Sequence, residues 1–498
     1  MIIQIFNELL TLHSLIMSSL KQTFVSGIIY TAIAKYAGIF VSLVVTAILA
    51  RLIGSEEFGI VAVATVFINF FSILTTVGIT PAIIQNKELT REDINNINSF
   101  AILLSVTITI IYICIVPIIA HFYDEKEQLK TILFLLSFNV LFSIASIVPN
   151  ALIYKEKLFS FLAIRTFSIQ CVLGIISVIC AISGLGIYSL VINPIGISLF
   201  LLVVSFIKYP IPFLLRFDLK SVKKILYFSS YQALFNLVYL LYRNIDQVFV
   251  GKKFGLSTLG YYEKSYRLMM LPLDNISSVI SPVLHPLLSE YQSEKSTIWD
   301  VNKKMISFLS EFCLLVSVYL FWVSDSIIYI LYGENWANSI PIFRILTLSI
   351  WAQILQSPTG PILQSLNKVQ SLTIGGCWIL LFVIVSVFTS WIFNNLDILY
   401  IGIVLSFIAG FFIYQSYIAK AVSKPFKEII KIIMPQFIVA FVLFVISSII
   451  NKYVYIENHW IKLCAYSILL LLYTIILTFL GFMPTIRNII INKIFVKK

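Results

Sequence analysis

Apolar runs of 18 or more residues recur along all 498 residues of the chain, separated by short polar stretches. A helix needs roughly 20 predominantly apolar residues to cross a hydrocarbon core about 30 Å thick. The pattern predicts fourteen such segments, near 27–52, 59–84, 97–122, 130–152, 158–182, 184–207, 225–250, 256–287, 304–323, 340–365, 371–393, 398–418, 429–450 and 461–482. The short alternating segments of a membrane barrel are not visible. The expected fold class is an all-α integral membrane protein of about 14 transmembrane helices. The longest connections beyond the first pair of spans are Lys208–Lys224, Ser289–Asn302 and Ser324–Ser339.

The polar pattern repeats. Arg51-Leu-Ile-Gly54-Ser-Glu-Glu-Phe-Gly59 resembles Lys252-Lys-Phe-Gly255-Leu-Ser-Thr-Leu-Gly260 at an offset of 201, and the same offset maps Ile79-Thr80-Pro81 onto Ile280-Ser281-Pro282. Pro149 to Lys157 resembles Pro361 to Lys368 at an offset near 211. Two six-span copies therefore follow one another. Six is even, so the copies share an orientation and are related by an axis along the membrane normal. The expected division is residues 1–221 for spans 1–6, 222–424 for spans 7–12, and 425–498 for spans 13–14 and a tail. Gly54, Gly59, Gly255 and Gly260 are expected in tight helix–helix connections, as structural residues, since glycine tolerates φ > 0 and close backbone approach.

Ionisable residues inside spans are costly and mark function by default. In span 7, Gln232, Asn236, Tyr239, Arg243 and Asp246 fall on one helix face. In span 1, Thr31, Lys35, Gly38 and Ser42 occupy the positions that the repeat makes equivalent to the first four of these. Thr65, Asn69, Ser72 and Thr76 form a stripe in span 2, and Arg267, Asp274 and Ser281 one in span 8. A polar cavity lined by spans 1, 2, 7 and 8 follows. Its candidate substrate-binding residues are Lys35, Asn69, Asn236, Arg243 and Arg267, with Asp246 and Asp274 as ion-coupling groups or charge partners. Basic groups in a low-dielectric cavity attract anions, and an Arg fork matches phosphate oxygens. Blander alternatives stand beside these: Arg243 and Asp246, three residues apart, can neutralise each other. Lys35 and Arg165 can snorkel, and Lys264 and Arg344 fall near span ends.

Composition agrees with a membrane chain. Hydrophobic residues make up 59% and charged ones 12%, against about 25% charged in soluble domains. The net charge of +12 does not point to nucleic acid, because Lys and Arg sit between spans. With the N-terminus inside, 22 of them fall in cytoplasmic segments and 7 outside, so both termini are expected in the cytoplasm. Six cysteines in apolar segments, without CxxC or HExxH, give no disulfide, zinc or cofactor reading. Met1 to Leu20 lacks a basic n-region and does not read as a cleaved signal peptide; Met17 is an alternative start.

The motifs Phe217-Asp218-Leu219-Lys220, Arg243-Asn244-Ile245-Asp246, Gly255-x4-Gly260-Tyr261-Tyr262, Tyr266-Arg267-Leu268 and Leu271-Pro272 resemble those of bacterial polysaccharide exporters. So do Ala50 to Gly59, Gly184-Leu-Gly186 with Ser189-Leu190-Val191, and Gly333-Glu334-Asn335-Trp336. These are the Wzx-type flippases of the multidrug/oligosaccharidyl-lipid/polysaccharide superfamily, and the likeness covers residues 18–420. The resemblance implies two pseudo-symmetric six-helix lobes in a V, with two C-terminal helices appended. It implies translocation of an undecaprenyl-diphosphate-linked oligosaccharide across the inner membrane for O-antigen, capsule or exopolysaccharide. The family's basic cavity residues would correspond to Lys35, Arg243 and Arg267. Implied partners are the lipid-linked oligosaccharide, membrane lipids, and the polysaccharide polymerase and chain-length machinery; a monomer is expected. Peptidoglycan-precursor flippases carry several N-lobe arginines, where this chain offers mainly Lys35 and Arg165. A drug or cation antiporter of the same superfamily is disfavoured because spans 1–6 hold no interior acidic residue. A membrane glycan polymerase or ligase would need a sizeable outer loop with paired catalytic groups, and none is visible, so no enzyme is expected.

Overall fold

The computed structural model describes residues 18–484 apart from 87, 125–126, 215–217, 219–229, 293 and 455; within helices, the side chains of 18–33, 72–78, 81, 85, 230–233, 279, 281–283 and 285–286 also fall outside the description. Among the described residues the regular structure is helical. The first half holds α1 (Ser18–Leu52), α2 (Ser55–Gln85), α3 (Arg91–Phe122), α4 (Glu127–Ala145), α5 (Ile147–Lys155), α6 (Phe159–Ile182) and α7 (Tyr188–Lys208). The second holds α8 (Ser230–Phe254), α9 (Leu256–Ser289), α10 (Lys295–Trp322), α11 (Ser324–Leu331), α12 (Ser339–Thr347), α13 (Ile350–Gln356), α14 (Thr359–Ser365), α15 (Val369–Phe393) and α16 (Leu396–Ala421). Two further helices follow, α17 (Lys427–Tyr453) and α18 (His459–Leu480).

Each predicted span meets a helix, but spans 4 and 10 are broken. Proline explains the break in span 4 and the second of the two in span 10; the first, a 47° bend after Thr347, has no proline at it. Pro149 and Pro361 each stand third in their short helix. Proline donates no backbone hydrogen bond, and its ring collides with the carbonyl four residues earlier. The helix before α5 therefore stops at Ala145, and the one before α14 stops at Gln356. Both segments then leave through a left-handed residue, Lys157 (φ 58°) and Asn367 (φ 54°). The similarity between Pro149–Lys157 and Pro361–Lys368 is thus a shared broken helix.

Among the described residues, ten helices are long and apolar enough to cross a membrane. The pair Ser339–Thr347 and Ile350–Ser365, bent by 47°, makes eleven if it is one span. The other three predicted spans fall on α2, α8 and α9, of 31, 25 and 34 residues. At 1.5 Å per residue even α8 is about 38 Å long, enough to cross. Length and apolarity give ten or eleven spans where the sequence predicts fourteen, because α8 and α9 carry charges and part of α2 lies outside the description. Large apolar side chains such as Phe40, Ile207, Phe388 and Phe479 face outward. This is the surface of a protein dissolved in lipid rather than water.

The helix pairings repeat as well. In the first half α1 packs on α6, α6 on α7, α7 on α4, and α4 on α2 and α3. In the second, α8 packs on α15, α15 on α16, α16 on α12 and α13, and α12 on α9 and α10. Replacing spans 1–6 by 7–12 turns the first set into the second. Helix α17 leans on α10, and α18 on α11.

The halves meet along α2 against α8 and α9, most closely at the end where α1 gives way to α2. A Cβ on Gly59 would overlap the carbonyl oxygen of Leu256, and one on Gly260 that of Ser55. These two collisions are the same contact seen from either copy, so the pseudo-symmetry axis passes between them. The structure corrects the sequence expectation here: Gly59 and Gly260 lie inside α2 and α9, not in connections. Of the two N-cap glycines only Gly255 has a positive φ, 91°, while Gly54 is extended at −74°. Around this seam the Trp336 indole donates to the Ala50 carbonyl (2.7 Å) and the Arg51 guanidinium to the Ile330 carbonyl (2.6 Å). The Tyr123 hydroxyl donates to the Val248 carbonyl (3.1 Å), and Lys252 pairs with Asp124 (2.8 Å).

Candidate functional site

Helices α1, α8 and α9 carry the charges that matter. Counting along the helices at 1.5 Å per residue from their ends at Leu52, Phe254 and Leu256, Arg243 and Arg267 lie at a depth of about 16 Å, and Lys35 and Asp274 at about 26 Å. Lys35, half-buried, donates across the interface to the Ser278 hydroxyl on α9. Asp274 lies within electrostatic reach of Arg243, Lys35 and Arg267 together. Three cations from both halves of the chain thus gather about one carboxylate. Even with Glu263 beside Arg267 such a group retains net positive charge, and its attraction is strongest beside the half-buried Lys35 and Arg243 rather than at the exposed Arg267 and Asp274.

Arg243 is held in place by its own half of the molecule. Its Nη1 donates to Gln353 Oε1 (2.7 Å), the Tyr266 hydroxyl (3.2 Å) and Met270 Sδ (3.2 Å). Its guanidinium carbon sits 4.6 Å from the Phe407 ring centroid and 5.5 Å from that of Tyr239, and aromatic faces attract cations at this range. Its Nε is buried without a partner. Gln353 is in turn fixed by donating to Ser349 Oγ (2.9 Å). An arginine tethered on one side with a donor left over is built to receive an acceptor, and the fork geometry suits an anion's oxygens.

Other sequence candidates are placed differently. Asp246 is buried, accepts from the Tyr262 hydroxyl and from the Gln247 amide, and forms no ion pair with Arg243. The reading of those two as a neutralising pair is therefore corrected: three residues apart on α8, Asp246 is met by Tyr262 on α9, and Arg243 by Gln353 on α13 with Tyr266 and Met270 on α9. Asn69 is exposed on α2 and Asn236 half-buried on α8. Arg267 is largely exposed and leans on Glu263 (3.5 Å). Lys264 is not interfacial but buried, paired with Glu263 (3.0 Å) and set 4.2 Å over the Phe58 ring from the other half. Arg165 does not snorkel: it is buried, donating to Ser205 Oγ (2.8 Å) and Asn150 Oδ1 (2.9 Å). The side chains of Thr31, Ser72, Thr76, Gln232 and Ser281 lie outside the described residues.

Sequence reasoning missed Gln353, Tyr266 and Phe407 as Arg243's holders, since nothing local announces a contact 110 residues away. It also passed over Glu311, a fully buried carboxyl within α10, which the cost of an intramembrane charge was enough to flag. Among the described residues no group of three or more His, Cys, Asp or Glu is placed to hold a metal ion.

Comparison with known proteins agrees with this architecture. The teichuronic acid biosynthesis protein TuaB of Bacillus subtilis (strain 168) is 26% identical over 371 residues, 70% of this chain and 72% of that protein. The lipopolysaccharide biosynthesis protein WzxC of Escherichia coli (strain K12) is 23% identical over 364 residues, 70% of this chain and 72% of that protein. Among solved structures the lipid II flippase MurJ, in an inward closed conformation, superposes with a TM-score of 0.73, covering 92% of this chain and 100% of that one. At 14% identity this is a likeness of fold. The family model described as "Polysaccharide biosynthesis protein" matches residues 48–341, from the end of α1 into α12, and so takes in the seam, Arg243, Arg267 and Asp274: the chain belongs to the polysaccharide biosynthesis protein family.

Proposed function

We propose that this multi-pass membrane protein is a flippase that carries an undecaprenyl-diphosphate-linked oligosaccharide from the inner to the outer leaflet of the bacterial inner membrane, for O-antigen, capsule or exopolysaccharide. The observation that carries the reading is the gathering of Lys35, Arg243 and Arg267, from both copies of the repeat, about Asp274. A diphosphate needs cations to bind, and a carrier needs them on both of its moving halves. The proposed halves are residues 1–221 and 222–424, with 425–498 appended, and fourteen spans place both termini in the cytoplasm. In that orientation the Gly59–Gly260 seam seals the outer side and the substrate enters from within. The diphosphate meets Lys35 and Asp274, then Arg243 and Arg267 some 10 Å further out. Asn69 and Asn236 contact the sugars, the lipid tail stays in the bilayer, and rocking about the seam alternates access. Asp246 and Asp274 are the candidates for coupling to a cation. The step is transport without covalent chemistry, performed by a monomer that hands its cargo to the polymerase and chain-length machinery.

The test is export complementation in a flippase-deficient strain supplied with defined lipid-linked oligosaccharides. Restored surface polysaccharide for at least one of them is expected. Normal membrane abundance with no export of any would overturn the reading.

A further inference from the structure

The corner where α16 gives way to α17 carries an excess of positive charge. Lys420, Lys424, Lys427 and Lys431 fall within twelve residues, and all four are exposed. Between Asp397 and Glu457 the chain has a single acid, Glu428. That carboxylate is turned onto α10, where its Oε2 accepts from Trp299 Nε1 (2.9 Å) and pairs with Lys303 (3.2 Å). Lys424 lies within its electrostatic reach, but among the described residues none of the four lysines forms an ion pair or donates a side-chain hydrogen bond. Lysines elsewhere are occupied: Lys155 donates to the Asn86 carbonyl (2.8 Å), and Lys303 also pairs with Asp300 (3.1 Å). A bias of lysine toward the cytoplasmic side accounts for the sign of the four, but not for their grouping or their want of partners.

The turn that presents them is fixed. Helix α16 ends on a left-handed residue, Ser423 (φ 57°), and the Lys424 amide donates back to the Ala419 carbonyl (2.9 Å), which satisfies a carbonyl at the helix end. Pro425 follows, and the Glu428 amide donates to its carbonyl (3.2 Å) as α17 begins. Beyond the turn the two helices do not pack along their lengths. The Trp351 ring of α13 bridges them, 5.8 Å from Phe411 of α16 and 4.8 Å from Phe437 of α17 between centroids. On α17, Lys427, Lys431, Met434, Ile438 and Phe441 follow at spacings of four and three, which is one helix face, and all are exposed. On α16, Phe412 and Lys420, about two turns apart, are exposed likewise. Each helix thus shows the bilayer an apolar stripe that ends in lysine.

A molecule that matches both parts has acyl chains and a head of net negative charge. We infer that this corner binds an anionic phospholipid of the bilayer, its headgroup phosphate among the four lysines and its chains along the two stripes. Charge complementarity makes the choice. A zwitterionic phospholipid brings the same chains, but its headgroup cation is repelled by the lysines. In the proposed orientation the corner lies at the cytoplasmic leaflet. It stands on helices other than α1, α8 and α9, which carry the charge column, and depends on neither the cargo nor its transport.

The experiment is native mass spectrometry of the full chain released from detergent micelles that hold equal amounts of phosphatidylglycerol and phosphatidylcholine with matched chains. Phosphatidylglycerol is expected to be retained in preference. A lysine beside an anionic headgroup contributes about fivefold in affinity, so Lys427→Gln with Lys431→Gln should lower its retention roughly twentyfold. Adding Lys420→Gln and Lys424→Gln should abolish the preference. The control changes Lys130, Lys157, Lys208 and Lys368 to Gln, all exposed elsewhere; it lowers the net charge equally and keeps the preference. Thermal unfolding of each variant establishes that it is folded. No preference in the native chain, an equal preference in the fourfold corner variant, or its loss in the control would each overturn the inference. So would displacement of phosphatidylglycerol by equimolar undecaprenyl diphosphate, which would give the corner to the cargo, or by equimolar inorganic phosphate, which would make the acyl chains irrelevant.

Discussion

Arg243 and Lys35 show how differently two intramembrane cations are kept. Arg243 is clasped by Gln353, Tyr266 and aromatic rings of its own half, whereas Lys35 reaches across to Ser278 in the other. Charge-assisted contacts to a phosphate contribute about 1.5–3 kcal/mol each, or roughly a tenfold to hundredfold change in affinity. Lys35→Gln and Arg243→Gln are therefore expected to cut export by that order, with membrane abundance near wild type on immunoblot. Arg243→Lys should fare little better than Gln, since an ammonium cannot reproduce the fork; recovery of export by Lys would show that charge alone suffices. Asp246 is met by Tyr262 and not by Arg243, so adding Asp246→Asn to Arg243→Gln should rescue nothing. Tyr262→Phe leaves one oxygen of the carboxylate without its donor, the other keeping the Gln247 amide, and is expected to cost about 1–3 kcal/mol and to lower the melting temperature. An unchanged melting curve would mean that Asp246 is satisfied elsewhere.

For the elements, the decisive feature is the crossing of α2 and α9. Two helices approach this closely only where one partner presents no side chain, and here each presents a glycine, Gly59 to Leu256 and Gly260 to Ser55. Valine at either position should lower the yield of monodisperse protein in size-exclusion chromatography of detergent extracts. Normal yield would argue that the backbones stand further apart. The two N-cap glycines should separate despite their equivalent places in the repeat. Gly255→Ala forces an L side chain into φ 91°, ψ 162°, at a cost of about 1–3 kcal/mol. Gly54→Ala keeps an ordinary φ and meets only the flexible end of Glu57, so its melting temperature should match wild type. The Lys252–Asp124 pair beside the seam is exposed on the aspartate side, and such pairs contribute about 0.2–1 kcal/mol. The seam is held by backbone approach and by the buried Trp336 indole rather than by that ion pair.

Across the whole molecule, the repeated pairing of helices makes two similar bodies that share one seam, and the proposed orientation rests on the Lys and Arg bias of 22 to 7. Reporter fusions after Lys157 or Lys424 should read as cytoplasmic, and fusions after Lys126 or Gly333 as periplasmic. Reversal at even two of these sites would overturn both the span count and the direction of transport proposed here.

Periodicity along one chain was enough to expose the membrane class and the helix positions, and the sequence offset that the repeated helix pairings match. Hydrophobic span length and helical spacing are local quantities, and a duplication leaves its offset in the sequence. The proline breaks at Pro149 and Pro361 were equally local, though their meaning emerged only with both helices in view. What only the tertiary structure decided was partnership. Whether Asp246 answers Arg243 or Tyr262, whether Arg165 snorkels or is buried against Ser205 and Asn150, and whether Lys264 lies at an interface or beneath Phe58 all depend on a second helix. In a bilayer the apolar faces of helices can meet lipid or one another at similar cost, so hydrophobicity places a helix in the membrane without naming its neighbour. Small residues and polar groups make that choice, and their match becomes visible only once Gly59 lies against Leu256 and Gly260 against Ser55.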